Sequence, residues 1–188
     1  MSLQERLTER FLRYAAVPSQ SKEGCAVVPS TPGQWDMAKL LKEDLAELGL
    51  VDLEISEFCV LTGRLPANLP AGHAPVPNVG WVAHMDTVDV NLSPEVHPQI
   101  VKNYQGGDVL LNAEKQIYIK VSEHPELNKY IGSDLITTDG SFISTKGIPT
   151  PNYFTGAHNF HSNCEFMPMD AVEKSCLMTL KLVELITK

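Results

Sequence analysis

Val79-Gly80-Trp81-Val82-Ala83-His84-Met85-Asp86-Thr87 is the stretch that decides how this chain is read. Its opening is almost wholly apolar, a pattern that predicts a short strand buried on both faces by flanking helices, and hence an α/β domain. The run then turns polar and titratable. Open α/β sheets carry their chemistry at the ends of such strands. His84 and Asp86 stand two residues apart, so a strand presents both side chains on one face. An imidazole that ligates a divalent metal through one nitrogen usually donates its other N–H to an oxygen, and Asp86 is placed to accept it. The same spacing also describes a structural His–Asp ion pair, which is the commoner use of two such residues.

Upstream of that stretch the chain is helical at both strong periods. Leu3, Leu7, Phe11, Leu12 and Tyr14 recur at three- and four-residue steps and predict a first helix, closed by Pro18. Pro18-Ser19-Gln20-Ser21 and the Pro-, Ser- and Thr-rich Ala26 to Gly33 read as loops. Thr31-Pro32 offers an N-cap and a first-turn proline for a second helix, with Trp35, Ala38, Leu41, Leu45 and Leu48 on one face and Gly49 at its end. Val51 to Val60 alternates as a strand, and Leu65 to Gly72 is turn-rich.

Downstream, Asp89 to Gly107 is loop-like. Val109 to Val121 predicts one or two strands, and Leu135-Ile136-Thr137-Thr138 another, just before Asp139-Gly140. Asn152 to Thr155 reads as a strand and leads into a loop holding Gly156, His158, His161 and Asn163. A helix from about Met169 to Ile186 closes the pattern, its inner face Val172, Cys176, Leu180, Leu182, Val183 and Ile186. Asp170 and Glu173 near its start suit the helix dipole.

Bulk composition narrows the function classes. The chain has 188 residues, 43% hydrophobic and 20% charged, and a formal net charge of −8. That length builds a single domain, residues 1–188, with a core of its own. An acidic chain has no surplus of cations for a phosphate backbone, so nucleic acid is not an expected partner. Cys25, Cys59, Cys164 and Cys176 are scattered without a framework spacing, which suits reduced thiols in the cytoplasm. The first ten residues mix acid and base and do not read as a signal peptide. No apolar run reaches the roughly 18 residues of a membrane span. The expected location is cytoplasmic, without a membrane partner.

A second set of ligand types surrounds His161, with His158 three residues before it and Glu165 four after. Imidazole and carboxylate both suit borderline metals, so this loop can supply ligands. Histidines facing water fit the same spacing. Cys164 is a nucleophile candidate only if a histidine lies beside it, and nothing in the sequence marks its thiol as activated.

Several segments, taken in order, resemble one family. Besides Val79 to Thr87 they are Phe11-Leu12-Arg13-Tyr14, Pro18-Ser19-Gln20-Ser21, Pro29-Ser30-Thr31-Pro32-Gly33-Gln34 and Leu65-Pro66-Ala67-Asn68. They continue with Pro98-Gln99-Ile100-Val101, Asn103-Tyr104, Gly106-Gly107-Asp108 and Leu135 to Gly140. Gly147 to Asn152, Phe154-Thr155-Gly156, Asn159-Phe160-His161 and Glu165-Phe166 complete the series. Together they resemble peptidase T, the tripeptide aminopeptidases of the M20 zinc metallopeptidases. Residues 1–140 resemble the N-terminal part of that catalytic domain and residues 141–188 its C-terminal part.

The resemblance implies a three-layer αβα catalytic domain, a mixed sheet with helices on both faces. It implies that His84 binds one zinc, that His161 binds the other, and that Asp86 is the active-site carboxylate orienting His84. The substrate it implies is a tripeptide that loses its N-terminal residue. In the family the text after Thr-Thr-Asp-Gly runs on to a metal-bridging aspartate, a Glu-Glu pair supplying general base and ligand, a further aspartate ligand and an inserted lid domain. This sequence has no counterpart of these and passes at Thr138-Asp139-Gly140 into the family's closing segments.

Two dications about 3.5–4 Å apart require carboxylates to offset their repulsion. Catalytic zinc normally keeps three protein ligands plus a water. His84 and His161, with Asp86 or Asp139, would make at most one mononuclear site. The missing general base is worth about 10²–10⁴ in rate. The expectation is therefore an impaired or inactive peptidase. The alternative is a non-catalytic remnant that binds a single metal weakly or self-associates as a homo-oligomer through an exposed sheet edge.

Overall fold

Ser2 and Glu5 close a reciprocal cap at the start of the first helix: the Glu5 amide donates to Ser2 Oγ at 3.1 Å, and the Ser2 amide donates to Glu5 Oε2 at 2.6 Å. That box satisfies two of the amides a helix start leaves without partners. The computed structural model describes residues 1–89, 98–113, 116–138, 155–159 and 164–186. In chain order its elements are helix α1 (Leu3–Ala15), helix α2 (Gly33–Glu47), strands β1 (Val51–Ile55), β2 (Leu61–Arg64), β3 (Gln99–Val101), β4 (Val109–Asn112) and β5 (Ile117–Ile119). A 3-10 turn (Pro125–Tyr130), strands β6 (Leu135–Thr138) and β7 (Glu165–Pro168), and helix α3 (Met169–Ile186) follow. Among the described residues no helix is long and apolar enough to cross a membrane. The described residues divide into two compact units, one of 1–16 and 96–179, the other of 17–95 and 180–188.

In the first unit β6 lies between β3 and β7, and both pairings are antiparallel. The register sets Ile136 against Ile100 on one side and Met167 on the other. Consecutive residues of a strand point to opposite faces. Leu135 and Ile136 are both 0% exposed, so β6 is covered on both faces. Leu135 and Phe166 pack with Tyr104, Val109, Ile119 and Leu127 into the core of this unit. The predicted strand region 109–121 is a separate antiparallel hairpin of β4 and β5. Gly156, at φ +88°, leads toward the β7 neighbourhood where a Cβ would stand 2.4 Å from Ala171 Cβ, so only glycine fits.

In the second unit α2 starts one residue later than a Thr31 cap predicts. Pro32 occupies the cap position, no side chain caps the helix, and Thr31 Oγ1 instead donates to the Gln20 carbonyl at 2.7 Å. Gln34, Met37, Ala38 and Asp44 are its buried positions, a face rotated from the one the apolar period marks. The single strand expected over 51–60 is a hairpin, β1 and β2, joined by a turn in which the Ser56 amide donates to the Val60 carbonyl at 3.0 Å.

Val79 to Ala83 departs most from expectation. It is not a strand, and Trp81 is 53% and Val82 92% exposed. A short apolar run becomes a buried strand only when neighbours take up its backbone hydrogen bonds on both sides, as β3 and β7 do for β6. The described residues thus combine helices and short strands, as an α/β chain does. Their strands pair antiparallel, in three small sheets, with no parallel pair among them.

Candidate functional site

His84 and Asp86 do meet, although no strand presents them. Asp86 sits in a bend, and His84 Nδ1 lies 3.0 Å from Asp86 Oδ1 with both side chains about a third exposed. The carboxylate can only accept, so Nδ1 carries the shared proton and, in the neutral ring, Nε2 holds the lone pair. The Asp86 hydrogen bond raises the His84 pKa above its ordinary 6.5, with partial burial opposing. The same hydrogen bond, against burial and with a second hydrogen bond from Ser21, lowers Asp86 below 3.8.

The segment that carries this pair is held from the side by Pro18 to Glu23. The Ser21 amide donates to the Thr87 carbonyl at 2.8 Å, and Ser21 Oγ approaches the same carbonyl at 3.2 Å. Gln20 Nε2 donates to the Val88 carbonyl at 3.2 Å, and the Glu23 amide to Asp89 Oδ2 at 3.2 Å. Ser21, Asp86 and His84 do not form a hydrolase triad. There the serine hydroxyl gives its proton to the imidazole, whereas here it faces a carboxylate and a carbonyl.

His158 occupies a different setting in the first unit. Its backbone forms an antiparallel bridge with Phe166, with N···O distances of 2.9 and 3.2 Å. Its ring stacks on Phe166 at 4.9 Å between centroids and 9° between planes. Tyr130 Oη lies 2.5 Å from His158 Nε2. Burial lowers the His158 pKa below 6.5, with Glu126 pulling upward and Lys129 downward. Beside it, Asn159 Nδ2 lies 3.1 Å from His124 Nδ1 and donates to the Cys164 carbonyl at 3.3 Å. Burial pushes the Glu126 carboxyl up, but hydrogen bonds from its own amide and from Asn159, with His124 and His158 nearby, bring it below the usual carboxylate range.

These contacts sort the sequence candidates. His158 Nε2 is engaged by Tyr130, which leaves Nδ1 as the ring nitrogen that could ligate. Glu165 is buried, at 8% exposure. The Cys164 thiol is pushed up by burial and then by Glu123, the opposite of an activated nucleophile. His161, Asp139 and all of the predicted strand Asn152 to Thr155 except Thr155, which is not in a strand, lie outside the described residues. Among the described residues no three His, Cys, Asp or Glu side chains gather to hold a metal. The His84–Asp86 pair offers one imidazole nitrogen and one carboxylate, short of the three protein ligands of a catalytic zinc. The described residues therefore do not complete a zinc site.

Sequence reading passed over Ser21, Tyr130 and Phe166 as functional neighbours. Ser21 is 66 positions from Thr87 and Tyr130 is 28 from His158, so spacing along the chain gave no sign of either contact.

No family model matches the chain. It is 46% identical over 143 residues to a peptidase T-like protein of Yersinia pestis, a match spanning 76% of this chain and 34% of that protein. It is 46% identical over 137 residues to a peptidase T of Fusobacterium nucleatum, spanning 73% of this chain and 32% of the relative. A peptidase T of Escherichia fergusonii is 43% identical over 139 residues, 74% of this chain and 33% of the relative. The chain thus spans about a third of the length of the curated relatives it matches.

Proposed function

The chain is homologous to peptidase T over about three-quarters of its length, and from that premise we propose that it carries part of the metal-binding framework of a zinc-dependent tripeptide aminopeptidase. The single observation behind this reading is the 3.0 Å contact of His84 Nδ1 with Asp86 Oδ1, inside the segment that most resembles the family's metal strand. In this reading His84 ligates through Nε2, Asp86 fixes the ring and its tautomer, and His161 supplies the second imidazole. The three-layer αβα domain and the cytoplasmic location belong to the same proposal. None of the four cysteines is in a disulfide, in keeping with a reducing compartment.

By itself the chain has at most a fraction of a peptidase's power. An imidazole and a carboxylate leave the charge of a bound dication poorly offset, and among the described residues no general base accompanies them. The test is release of the N-terminal residue from tripeptides by protein of confirmed mass, with zinc added. The expected turnover is at least about 10² below an ordinary kcat of roughly 10 s⁻¹. Turnover near 10 s⁻¹ refutes the reading of an impaired chain.

A second reading is favoured by the exposure of Trp81 and Val82 in an apolar run that forms no strand. Such a run pairs readily with another chain, which makes this a self-associating remnant. Size-exclusion chromatography across a hundred-fold concentration range tests it. A monomer throughout removes this alternative.

A further inference from the structure

His124 Nδ1 faces two side chains that make opposite demands on it. Asn159 Nδ2 lies 3.1 Å away and Glu126 Oε1 lies 3.5 Å away. A side-chain amide nitrogen only donates, and an ionised carboxylate only accepts. Nδ1 therefore suits Asn159 when it carries a lone pair and Glu126 when it carries a proton. Turning the Asn159 amide over does not escape this choice. Its Nδ2 also donates to the Cys164 carbonyl at 3.3 Å, and a flipped amide would set Oδ1 against that carbonyl, two acceptors face to face. The Cys164 bond thus fixes which end of the amide His124 meets, and with it a neutral ring whose proton sits on Nε2.

One side of this contact is firmly seated. His124 stands just before the 3-10 turn; its amide donates to the Lys120 carbonyl at 2.9 Å, and its carbonyl accepts from the Leu127 amide at 3.2 Å. Leu127 is fully buried in the core of the unit. The other side hangs on fewer ties. Asn159, at φ +58°, has a left-handed backbone that asparagine tolerates better than most residues, and its amide joins the described residues on either side of 160–163. The charges near His124 on its own stretch are Glu126 and Lys129, with Lys120 and Glu123 paired to each other at 3.5 Å. Opposite it lie the His158 ring, the Cys164 thiol and the buried Glu165 of β7, and Asp170 and Lys174 of α3, paired at 3.1 Å, act on Tyr130.

We propose that His124 is a proton-operated latch on the 155–159 segment: neutral, it accepts from Asn159 and holds that segment to the 3-10 turn, and protonated, it turns to Glu126 and lets go. Glu126 is ready to receive it. Burial pushes its carboxyl up, but the hydrogen bonds and histidines around it bring it below the usual carboxylate range, so it is ionised wherever a histidine titrates. His158, one residue from Asn159, is not the latch. Its protonation leaves the Tyr130 contact whole, because a phenol hydroxyl turns from donor to acceptor, and burial opposes the charge. The latch needs no bound ion and stands apart from the metal reading above.

The experiment uses the full chain, labelled with ¹⁵N, and follows hydrogen exchange across the histidine range of about pH 8 to 5. The amides read are those of His158 and Phe166, which bond each other's carbonyls beside Asn159. Each rate is taken relative to the intrinsic rate at that pH, and the His124 and His158 ring signals are titrated in the same samples. Protection of both amides should fall about 3- to 10-fold on acidification, the factor that one hydrogen bond contributes, with the midpoint of the His124 ring. His124→Asn sets a non-titrating acceptor close to the place of Nδ1 and should keep protection level throughout. Glu126→Gln removes the charge that draws the proton and should move the fall to lower pH. Level protection in the wild-type chain overturns the proposal, and so does a fall that follows the His158 ring. A fall of undiminished size in His124→Asn, or at unchanged pH in Glu126→Gln, overturns it as well.

Discussion

His84 and His158 each bring one ring nitrogen to one side-chain oxygen, and their surroundings make opposite use of it. His84 faces a carboxylate on a partly exposed bend, and the fold favours its charged form. His158 faces a phenol, stacks on a fully buried Phe166 and is bridged through its backbone to β7, and the fold favours its neutral form. A negative partner stabilises a cation where water still screens part of the burial cost, and burial beside a neutral partner removes that balance. The two rings also engage opposite nitrogens: Asp86 meets Nδ1 of His84, and Tyr130 meets Nε2 of His158.

The largest expected effect in this comparison comes from Tyr130→Phe. It leaves a part-buried imidazole nitrogen without that partner, and a lost hydrogen bond of this kind costs about 1 kcal/mol. Urea denaturation checks this, and a loss under about 0.3 kcal/mol shows that the hydroxyl contributes nothing net.

The two histidines should next give stability slopes of opposite sign. The folded pKa of His84 lies above 6.5, so its contribution is complete below that value and is lost as pH rises through the folded pKa. Asp86 adds the lower limit: its contribution holds above 3.8 and disappears as pH falls through its depressed folded value. The folded pKa of His158 lies below 6.5, so its contribution is present above 6.5 and declines as pH falls from there. NMR titration of the ring C–H signals resolves the two. Asp86→Asn should lower the His84 midpoint, since the carboxylate's hydrogen bond and charge are lost while burial and the hydrogen bond to the residue-86 backbone remain, and should leave His158 where it was. A His84 midpoint that does not move in Asp86→Asn breaks the assignment.

The smallest effect belongs to Ser19→Ala. Ser19 is 1% exposed and its Oγ has no partner among the described residues. Removing that hydroxyl takes away an unsatisfied group, so stability should stay within about 0.5 kcal/mol or rise slightly. Its neighbour Ser21 makes the contrast: two serines of one loop, one hydroxyl engaged with the site and one without a partner.

Much of this was legible in the residues themselves. The apolar period of Leu3 to Tyr14 marks α1, and Met169 to Ile186 emerges as α3 with the bounds that its pattern suggests. The His84–Asp86 contact was also foreseeable, because two residues that close can meet in many local geometries. The local geometry was foreseen incorrectly: they meet across a bend, not on the face of a strand. The strand over 51–60 broke into a hairpin because alternation alone does not mark where the chain turns back, at Ser56 to Val60.

What the sequence determined by itself, then, is local or compositional: helix periods, ligand-capable residue types at short spacing, and homology to peptidase T through ordered matching segments. Tertiary structure alone decided which apolar run became a doubly covered strand. Val79 to Ala83 and Leu135 to Thr138 look alike as text, but only the second has strands on both sides to take its backbone hydrogen bonds. It also decided that Ser21 reaches Thr87 and that Tyr130 engages His158. Such partners are chosen by the folded path of the backbone, and spacing along the chain carries no information about it.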